Sequence, residues 1–187
     1  MILPAERDLF PSDLFEGLPP DDGRAWCLAH TRPRQEKAVA RDMLAAGQPF
    51  FLATLPRRTR AGRRVLIAQI PLFAGYIFVR VSVADRAVVF ASRRVARLVP
   101  VADQERLWAD LRQIRKVLDL GQPVTAEEQL EPGTLVAVRE GPLAGLTGTI
   151  VRASTGHKFV VRVDLIQRGV SVVVDGATLG KLSDRVS

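Results

Sequence analysis

Residues 71–79 read Pro-Leu-Phe-Ala-Gly-Tyr-Ile-Phe-Val, an apolar and aromatic run entered through a proline and a glycine. Apolar residues occupy both alternating sets of positions from Phe73 to Val79, which predicts a strand buried on both faces at the centre of a sheet. Residues 131–142 read Glu-Pro-Gly-Thr-Leu-Val-Ala-Val-Arg-Glu-Gly-Pro and open a segment rich in β-branched residues and glycine. In this order, the two stretches indicate two folded modules of different architecture.

The region from 24 to 120 alternates between strand and helix patterns. Apolar residues recur with helical spacing over 34–46 and 103–120, and each of these segments is followed by a glycine. Strands are predicted at 26–31, 50–55, 65–70, 72–83 and 95–99, with a short helix at 84–92. This order of elements predicts an α+β domain, in which helices flank an antiparallel sheet.

The flanking segments complete the predicted domain organisation. Residues 1–23 hold four prolines and no sustained periodicity, so we expect a flexible acidic arm whose apolar residues favour packing as a flap on the neighbouring domain. Residues 121–131 are predicted to be a linker. Residues 132–183 consist of short β-branched runs separated by turn signals, which predict a small, permanently all-β antiparallel barrel.

Charge is distributed unevenly along the chain. Residues 1–23 carry one basic and six acidic side chains, whereas residues 24–120 carry 19 basic and 7 acidic ones, giving net charges of −5 and +12. A strongly basic domain beside acidic flanks indicates a polyanionic partner. The alternative is a solvated basic surface with no partner.

Five arginines fall within eight positions at 57–64. Because predicted strands flank this segment, we interpret it as a hairpin loop that contacts phosphates without reading bases. A solubilising loop is the alternative. Basic residues along the first helix extend the same surface. The predicted nucleic-acid-binding residues are Arg32, Arg34, Lys37, Arg41, Arg57, Arg58, Arg60, Arg63 and Arg64.

Residues suited to catalysis or metal binding are sparse. The chain has one cysteine, Cys27, and its two histidines, His30 and His157, fall in different predicted domains. Cys27 and His30 are three residues apart on a predicted strand, so their side chains project to opposite faces. One cysteine leaves no intramolecular disulfide and no zinc cluster. We therefore expect no enzymatic activity, no metal and no cofactor.

The sequence also bears on location. No apolar run approaches the ~18 residues that a membrane span needs, and residues 1–10 lack the basic and apolar regions of a signal peptide. We expect a cytoplasmic monomer without membrane contact.

Two apolar features leave their roles open. Tyr76 and Phe78 are either core residues or anchors for a partner on one sheet face. Leu143 and Leu146 lie in a glycine-rich turn, where they either fold over the mouth of the barrel or contact a partner.

The motifs of the chain resemble those of the NusG family of transcription elongation factors. Trp26, the Thr-Arg-Pro at 31–33 and Glu36 resemble the opening strand and helix of its N-terminal domain, and residues 71–79 resemble its signature strand. Residues 138–151 resemble its KOW motif, and residues 163–172 resemble the strand and turn that follow. The resemblance covers about residues 24–183.

This resemblance implies an NGN-like domain over 24–120 that bridges the clamp helices and the opposite lobe of RNA polymerase across the DNA channel. Such binding would hold the clamp closed and suppress pausing or termination. It also implies an SH3-like KOW barrel over 132–183 that recruits either the termination factor Rho or a small-subunit ribosomal protein. The implied clamp-binding residues are His30, Phe73, Tyr76 and Phe78, and the implied KOW partner-binding residues are Leu143, Leu146 and Ile166.

Some residues depart from the housekeeping pattern of the family. The Pro-Leu-Phe at 71–73 is similar to the RfaH-like antitermination paralogues, and Arg94 stands where a glycine is usual. These features favour a specialised paralogue. The alternative function is a KOW-containing RNA-binding or ribosome-associated protein, whose basic face would bind RNA without polymerase.

Overall fold

The computed structural model describes residues 7–61, 64–121, 123–127, 133–153, 156–174 and 179–181. Contacts divide the chain into two compact units, Met1–Glu105 and Arg106–Ser187. This division falls inside a helix that the sequence interpretation placed wholly within 24–120, and the domain limits stay a prediction. In the part of the chain that is described, no helix is long and apolar enough to cross a membrane.

The first unit is built on two separate antiparallel sheets. Its strands are β1 (Leu9–Phe10), β2 (Ala25–Thr31), β3 (Phe50–Phe51), β4 (Thr54–Ala61), β5 (Arg64–Pro71), β6 (Tyr76–Val81) and β7 (Val95–Pro100), and its helices are α1 (Glu36–Ala45) and α2 (Arg86–Ala91). The described strands pair in the order β1-β3-β6-β2-β7, which we call the N-terminal sheet, whereas β4 and β5 form a two-stranded hairpin. The antiparallel α+β architecture predicted from the sequence is confirmed.

The core of this unit lies on one face of the N-terminal sheet. Alternate residues of β2 and β6, such as Ala29 and Ile77, join Val39 and Met43 of α1 in one buried cluster. The apolar stripe of α1 and the period-2 alternation of the strands bring these side chains together. Burying each large aliphatic side chain contributes about 1.5–3 kcal/mol. Strand β6 is therefore central, as predicted.

Strand β6 is shorter than the predicted strand at 72–83. Gly75 adopts φ +83°, the left-handed region that favours glycine. The Tyr76 N–H donates to the Phe73 carbonyl across this turn at 3.1 Å. The chain therefore turns at residues 73–75, and the strand begins at Tyr76. The prediction of one continuous strand is wrong because glycine in an apolar run fits both a strand and a turn.

The N-terminal arm is packed over its described residues, 7–23. Strand β1 pairs with β3, with Leu9 opposite Phe51, and Leu14 and Phe15 are buried. The prediction of a flap is therefore confirmed, and the prediction of a flexible arm is wrong for these residues because two large apolar side chains anchor them.

The second unit contains most of helix α3 (Gln104–Asp119) and an antiparallel sheet. Its strands are β8 (Val124–Glu127), β9 (Thr134–Val138), β10 (Thr147–Ala153), β11 (Gly156–Val163), β12 (Arg168–Val174) and β13 (Leu179–Lys181). The described strands pair in the order β13-β9-β10-β11-β12-β8, which we call the C-terminal sheet. Strand β8 lies within the predicted linker at 121–131 and pairs with β12, with Val124 opposite Val172.

Candidate binding surfaces

One face of the N-terminal sheet carries most of the side chains predicted to bind polymerase. In the register of β2 and β6, His30 lies opposite Tyr76. Directly opposed residues of an antiparallel pair project to the same side, and alternate residues such as Ile77 project to the buried cluster on the other side. We call this side the aromatic face, and it comprises Trp26, Leu28, His30, Phe51, Tyr76 and Phe78.

His30 and Tyr76 form the half-exposed end of the aromatic face. Their ring centroids are 4.7 Å apart and their planes meet at 70°. Arg97 of β7 lies opposite His30. Burial, and then the charge of Arg97, lowers the pKa of His30 below its ordinary value. His30 is therefore uncharged at neutral pH, and the pair offers neutral hydrogen-bonding rings beside a guanidinium.

Phe73 and Phe78 lie against each other in the interior. Their ring centroids are 6.3 Å apart at 88°, and they are 2% and 1% exposed. Strict alternation along the predicted strand at 72–83 would put Phe73 on the same side as Ile77, but the turn at Gly75 brings it to Phe78 instead. Both phenylalanines are buried in this structure and do not reach the surface, so their role as partner contacts stays a prediction.

The turn before β6 is held from both sides. The Gly75 N–H donates to Glu36 Oε1 of α1 at 2.7 Å, and the Gly75 carbonyl accepts the Thr31 N–H at 2.9 Å. Glu36 is 6% exposed. The sequence analysis named Glu36 as part of a family resemblance but did not predict this contact. An acidic residue at a buried position of a helix is a signal that could have indicated a buried hydrogen bond.

The other end of the aromatic face is covered by the chain's own N-terminal segment, residues 8–22, which we call the N-terminal strap. The Phe15 ring is parallel to that of Trp26 at 6.1 Å and meets Phe51 edge-on at 5.1 Å. The Leu52 N–H donates to the Asp8 carbonyl at 2.7 Å. The strap thereby confines the accessible part of this face to the end near His30 and Tyr76.

Buried Arg80 binds the C-terminal end of the N-terminal strap. Its Nη2 donates to Asp22 Oδ1 at 2.9 Å, to the Pro20 carbonyl at 2.8 Å and to the Arg24 carbonyl at 3.0 Å. Its guanidinium carbon lies 5.9 Å from the centroid of the Trp26 ring. Burial raises the pKa of Asp22, but the Arg24 N–H and the charge and hydrogen bond of Arg80 outweigh it and hold the pKa below its ordinary value. Sequence reasoning missed both residues.

The predicted basic residues of the first helix lie together near the start of α1. Arg32, Arg34 and Arg41 are exposed and Lys37 is half-buried. A cleft lined by Arg34, Lys37, Ile70 and Pro71 separates this cluster from the base of the β4–β5 hairpin. The cluster therefore borders the hairpin that carries the other predicted arginines.

The predicted arginine loop is in fact part of two paired strands, which we call the arginine ribbon (β4 and β5). Arg57 lies opposite Ala68, Arg58 opposite Ile67 and Arg60 opposite Val65. The three arginines are exposed. Arg63 lies outside the described residues, and Arg64 begins β5. The loop prediction is wrong. Arginines occupy both alternating sets of positions, so the sequence shows no alternation of apolar and polar residues that would predict a strand.

The predicted partner contacts of the C-terminal unit are mostly covered. Leu143 and Leu146 are 6% and 2% exposed, and Ile166 is half-buried. The Val138 N–H donates to the Leu146 carbonyl at 2.9 Å, which folds this turn onto the end of β9. The two leucines are therefore packed in this structure, and their role as partner contacts stays a prediction.

Polar side chains of α3 bind two loops of the C-terminal sheet. Gln113 Oε1 accepts the N–H and the hydroxyl of Thr147 at 2.7 and 3.1 Å. Asp110 Oδ2 accepts the Asp164 N–H at 3.1 Å, and Arg106 pairs with Asp164 at 2.7 Å. Burial raises the pKa of Asp110, and these donors offset only part of it. Helix α3 is thus fixed beside the Leu146 turn.

Residues with catalytic potential are not brought together in the described part of the chain. Cys27 is buried, and burial raises the pKa of its thiol, although the charge of Arg86 opposes this. Among the described residues, no group of three or more His, Cys, Asp or Glu side chains could hold a metal ion.

The chain is similar to several known proteins. A family model described as transcription termination factor NusG matches residues 24–121, just over half of the chain. No curated protein sequence matches. A structure described as domain interaction in Thermotoga maritima NusG is 20% identical with a TM-score of 0.49, covering 86% of this chain and 98% of that chain. The MjSpt4:Spt5 complex in conformation B is 15% identical with a TM-score of 0.26, covering 87% and 99%.

Proposed function

The chain belongs to the NusG family of transcription elongation factors, and from this premise we propose that it binds RNA polymerase across the DNA channel and suppresses pausing or termination. In this proposal the domain over 24–120 is the polymerase-binding module. The KOW-like domain over 132–183 recruits Rho or a small-subunit ribosomal protein. The Pro-Leu-Phe at 71–73 supports a specialised, RfaH-like antitermination role.

The observation that carries the proposal is the accessible end of the aromatic face. The His30 and Tyr76 rings are in contact and half-exposed, and Arg97 lies beside them. Aromatic and arginine side chains at the centre of an interface provide most of its binding energy. Tyr76 belongs to the central strand β6 and is paired with His30 across β2, so both rings are carried by a regular sheet, which lowers the entropy cost of binding.

The basic residues of α1 and of the arginine ribbon supply a second contact. Exposed guanidiniums next to a cleft favour phosphates of the nucleic acid in the elongation complex. We assign this contact to positioning the factor, since phosphate contacts carry no sequence information by themselves.

Recruitment of a partner through the two leucines of the C-terminal unit requires these side chains to become exposed. Leu143 and Leu146 are buried here, so a partner that contacts them must displace the groups packed on them. Tethering to a polymerase-bound module would raise the effective concentration of the C-terminal unit near that partner.

The test is a pull-down of core RNA polymerase by the full-length chain, comparing wild type with His30→Ala/Tyr76→Ala. We expect the double variant to bind at least about 30-fold more weakly, the effect of losing one hot spot of about 2 kcal/mol. Val83→Ser is the matched control because Val83 is 79% exposed and lies off the aromatic face. Equal binding by the double variant would contradict the assignment of the face.

The alternative, a KOW-containing RNA-binding or ribosome-associated protein, draws support from the net charge of +12 over residues 24–120. It predicts RNA binding without polymerase, a steep dependence on salt, and no effect of the His30→Ala/Tyr76→Ala change. Failure of wild type to bind polymerase, with RNA binding retained, would favour it.

A further inference from the structure

The two sides of the arginine ribbon differ in composition. Opposed residues project to the same side, so Arg58, Ile67, Arg60 and Val65 share one side of the ribbon, which we call the Arg58 side. Val65 and Ile67 are 59% and 62% exposed. Leu66, 51% exposed, projects to the opposite side together with Arg57. On the Arg58 side, arginines thus line one strand and exposed aliphatic side chains line the strand paired with it.

Contact with phosphates alone would not use this arrangement. Residues 54–71 include five arginines and no acid, so the ribbon complements a polyanion. Exposed aliphatic side chains next to each other mark an interaction surface, since leaving them in water contributes nothing to stability. The partner must therefore offer negative charge and apolar atoms together.

We propose that the arginine ribbon enters the major groove of B-form duplex DNA with its Arg58 side toward the base edges. A two-stranded ribbon has the width that this groove admits. Arginine can donate to guanine O6 and N7 there, and aliphatic side chains can contact the thymine methyl group. This inference rests on the nucleic-acid contact of the proposed function and specifies the form of nucleic acid bound.

The composition of the ribbon argues against other forms of nucleic acid. Proteins that bind single strands stack successive bases on aromatic side chains, and residues 54–71 contain no Phe, Tyr or Trp. A-form RNA has a deep and narrow major groove that side chains cannot read. Duplex DNA is the form in which both the arginines and the aliphatic residues find partners.

The experiment measures binding of the full-length chain to a 20-bp DNA duplex, to each of its single strands and to the matching RNA duplex, over a range of salt concentrations. Val65→Thr/Ile67→Thr removes apolar atoms from the Arg58 side and keeps β-branched shape. Leu66→Thr is its control on the opposite side. Arg58→Ala/Arg60→Ala tests the charge, with exposed Arg139→Ala in the second unit as its control. Circular dichroism and thermal unfolding check that every variant folds.

We expect wild type to prefer the DNA duplex to the RNA duplex by about tenfold or more, the scale of good groove contacts. Val65→Thr/Ile67→Thr should reduce this preference and leave the salt dependence unchanged, whereas Leu66→Thr should keep the preference. Because Arg58 and Arg60 face the base edges in this proposal, Arg58→Ala/Arg60→Ala should weaken binding to the DNA duplex by about tenfold or more and reduce the preference for it.

The inference would be overturned by equal binding to both duplexes, by tighter binding to single strands, or by no effect of Val65→Thr/Ile67→Thr on the preference for DNA. Loss of polymerase binding by that variant, with duplex binding intact, would assign the ribbon to a protein lobe and would also overturn it. The polymerase pull-down with wild type tests the proposed function separately, so failure of the proposed function can be distinguished from failure of this inference.

Discussion

The β2–β6 pair and the arginine ribbon use the same antiparallel pairing in opposite environments. Strands β2 and β6 pair from Ala25–Val81 to His30–Tyr76, and helices cover one of their faces while the strap covers part of the other. The ribbon pairs from Thr54–Pro71 to Ala61–Arg64, yet three consecutive aliphatic residues on β5 are more than half exposed. The two pairs have similar shares of β-branched residues, four of 13 and five of 16, so the covering layers distinguish them rather than strand propensity.

Because of this difference, the N-terminal sheet contributes mainly to stability, whereas the arginine ribbon is available for binding. Apolar side chains of the N-terminal sheet are removed from water and determine the free energy of unfolding. Those of the ribbon are left in water, so they can change with little effect on the fold. Surfaces used for binding belong to the less stable parts of a protein.

Two isoleucines test the comparison most strongly. Ile77 is 0% exposed and Ile67 is 62% exposed. Ile77→Ala should lower the free energy of unfolding by about 2–5 kcal/mol because it leaves a cavity. Ile67→Ala should change it by no more than about 0.5 kcal/mol. Denaturant unfolding of the full-length chain measures both, and equal losses would break the comparison.

Truncation of a buried side chain in the N-terminal strap should lower stability, as it does in the N-terminal sheet and does not in the arginine ribbon. Phe15→Ala removes a ring packed on Trp26 and Phe51, so we expect a loss of about 3 kcal/mol. Leu18→Ala is the control because Leu18 lies in the same strap but is 85% exposed. Thermal and denaturant unfolding should separate the two variants, and a loss below about 0.5 kcal/mol for Phe15→Ala would mean that the strap is not part of the folded core.

The turn at Gly75 should show a smaller effect. Gly75→Ala places a side chain at φ +83°, a conformation that costs an L-residue about 1–2 kcal/mol. Gly75→Asn should lose less than Gly75→Ala because asparagine tolerates the left-handed region. Denaturant midpoints give the order, and an equal loss for both variants would locate the effect in the surrounding contacts and not in the backbone.

The ion pair of the strap should contribute least and should depend on pH. The pKa of Asp22 is lower in the folded chain than its ordinary value, so the pair stabilises the fold above about pH 4 and loses this effect as pH falls through the folded pKa. Asp22→Asn should therefore lower stability at pH 7, and its difference from wild type should be smaller at pH 2. Asp21→Asn, at an exposed neighbouring position, is the control, and a loss that is the same at both pH values would contradict the assignment.

The regular elements were predictable because their signals are local. The two-sided apolar pattern of residues 76–79 identified the central strand, and the stripes of α1 and α3 identified their helices. The resemblance to the NusG family implied a shared role for His30 and Tyr76, and the pairing of β2 with β6 places them opposite each other.

The remaining features depend on contacts between residues far apart in sequence. Phe15 meets Phe51, and Arg80 meets Pro20 and Asp22. No periodicity relates such pairs. A buried arginine at position 80 goes against the usual exposure of this residue type. Its donors bind the Asp22 carboxylate and two backbone carbonyls, and a sequence pattern does not reveal these partners. The packing of Leu143 and Leu146 was left open for the same reason.

The pairing of β1 with β3 has a consequence for fragments of this protein. The family match begins at residue 24, so a fragment cut at that limit would lack Leu9 and Phe10, whose backbone covers the edge of β3. Uncovered edge strands present unpaired N–H and C=O groups and promote association between copies. Such a fragment would also expose Trp26 and Phe51, and we expect it to aggregate at concentrations where the full-length chain stays monomeric.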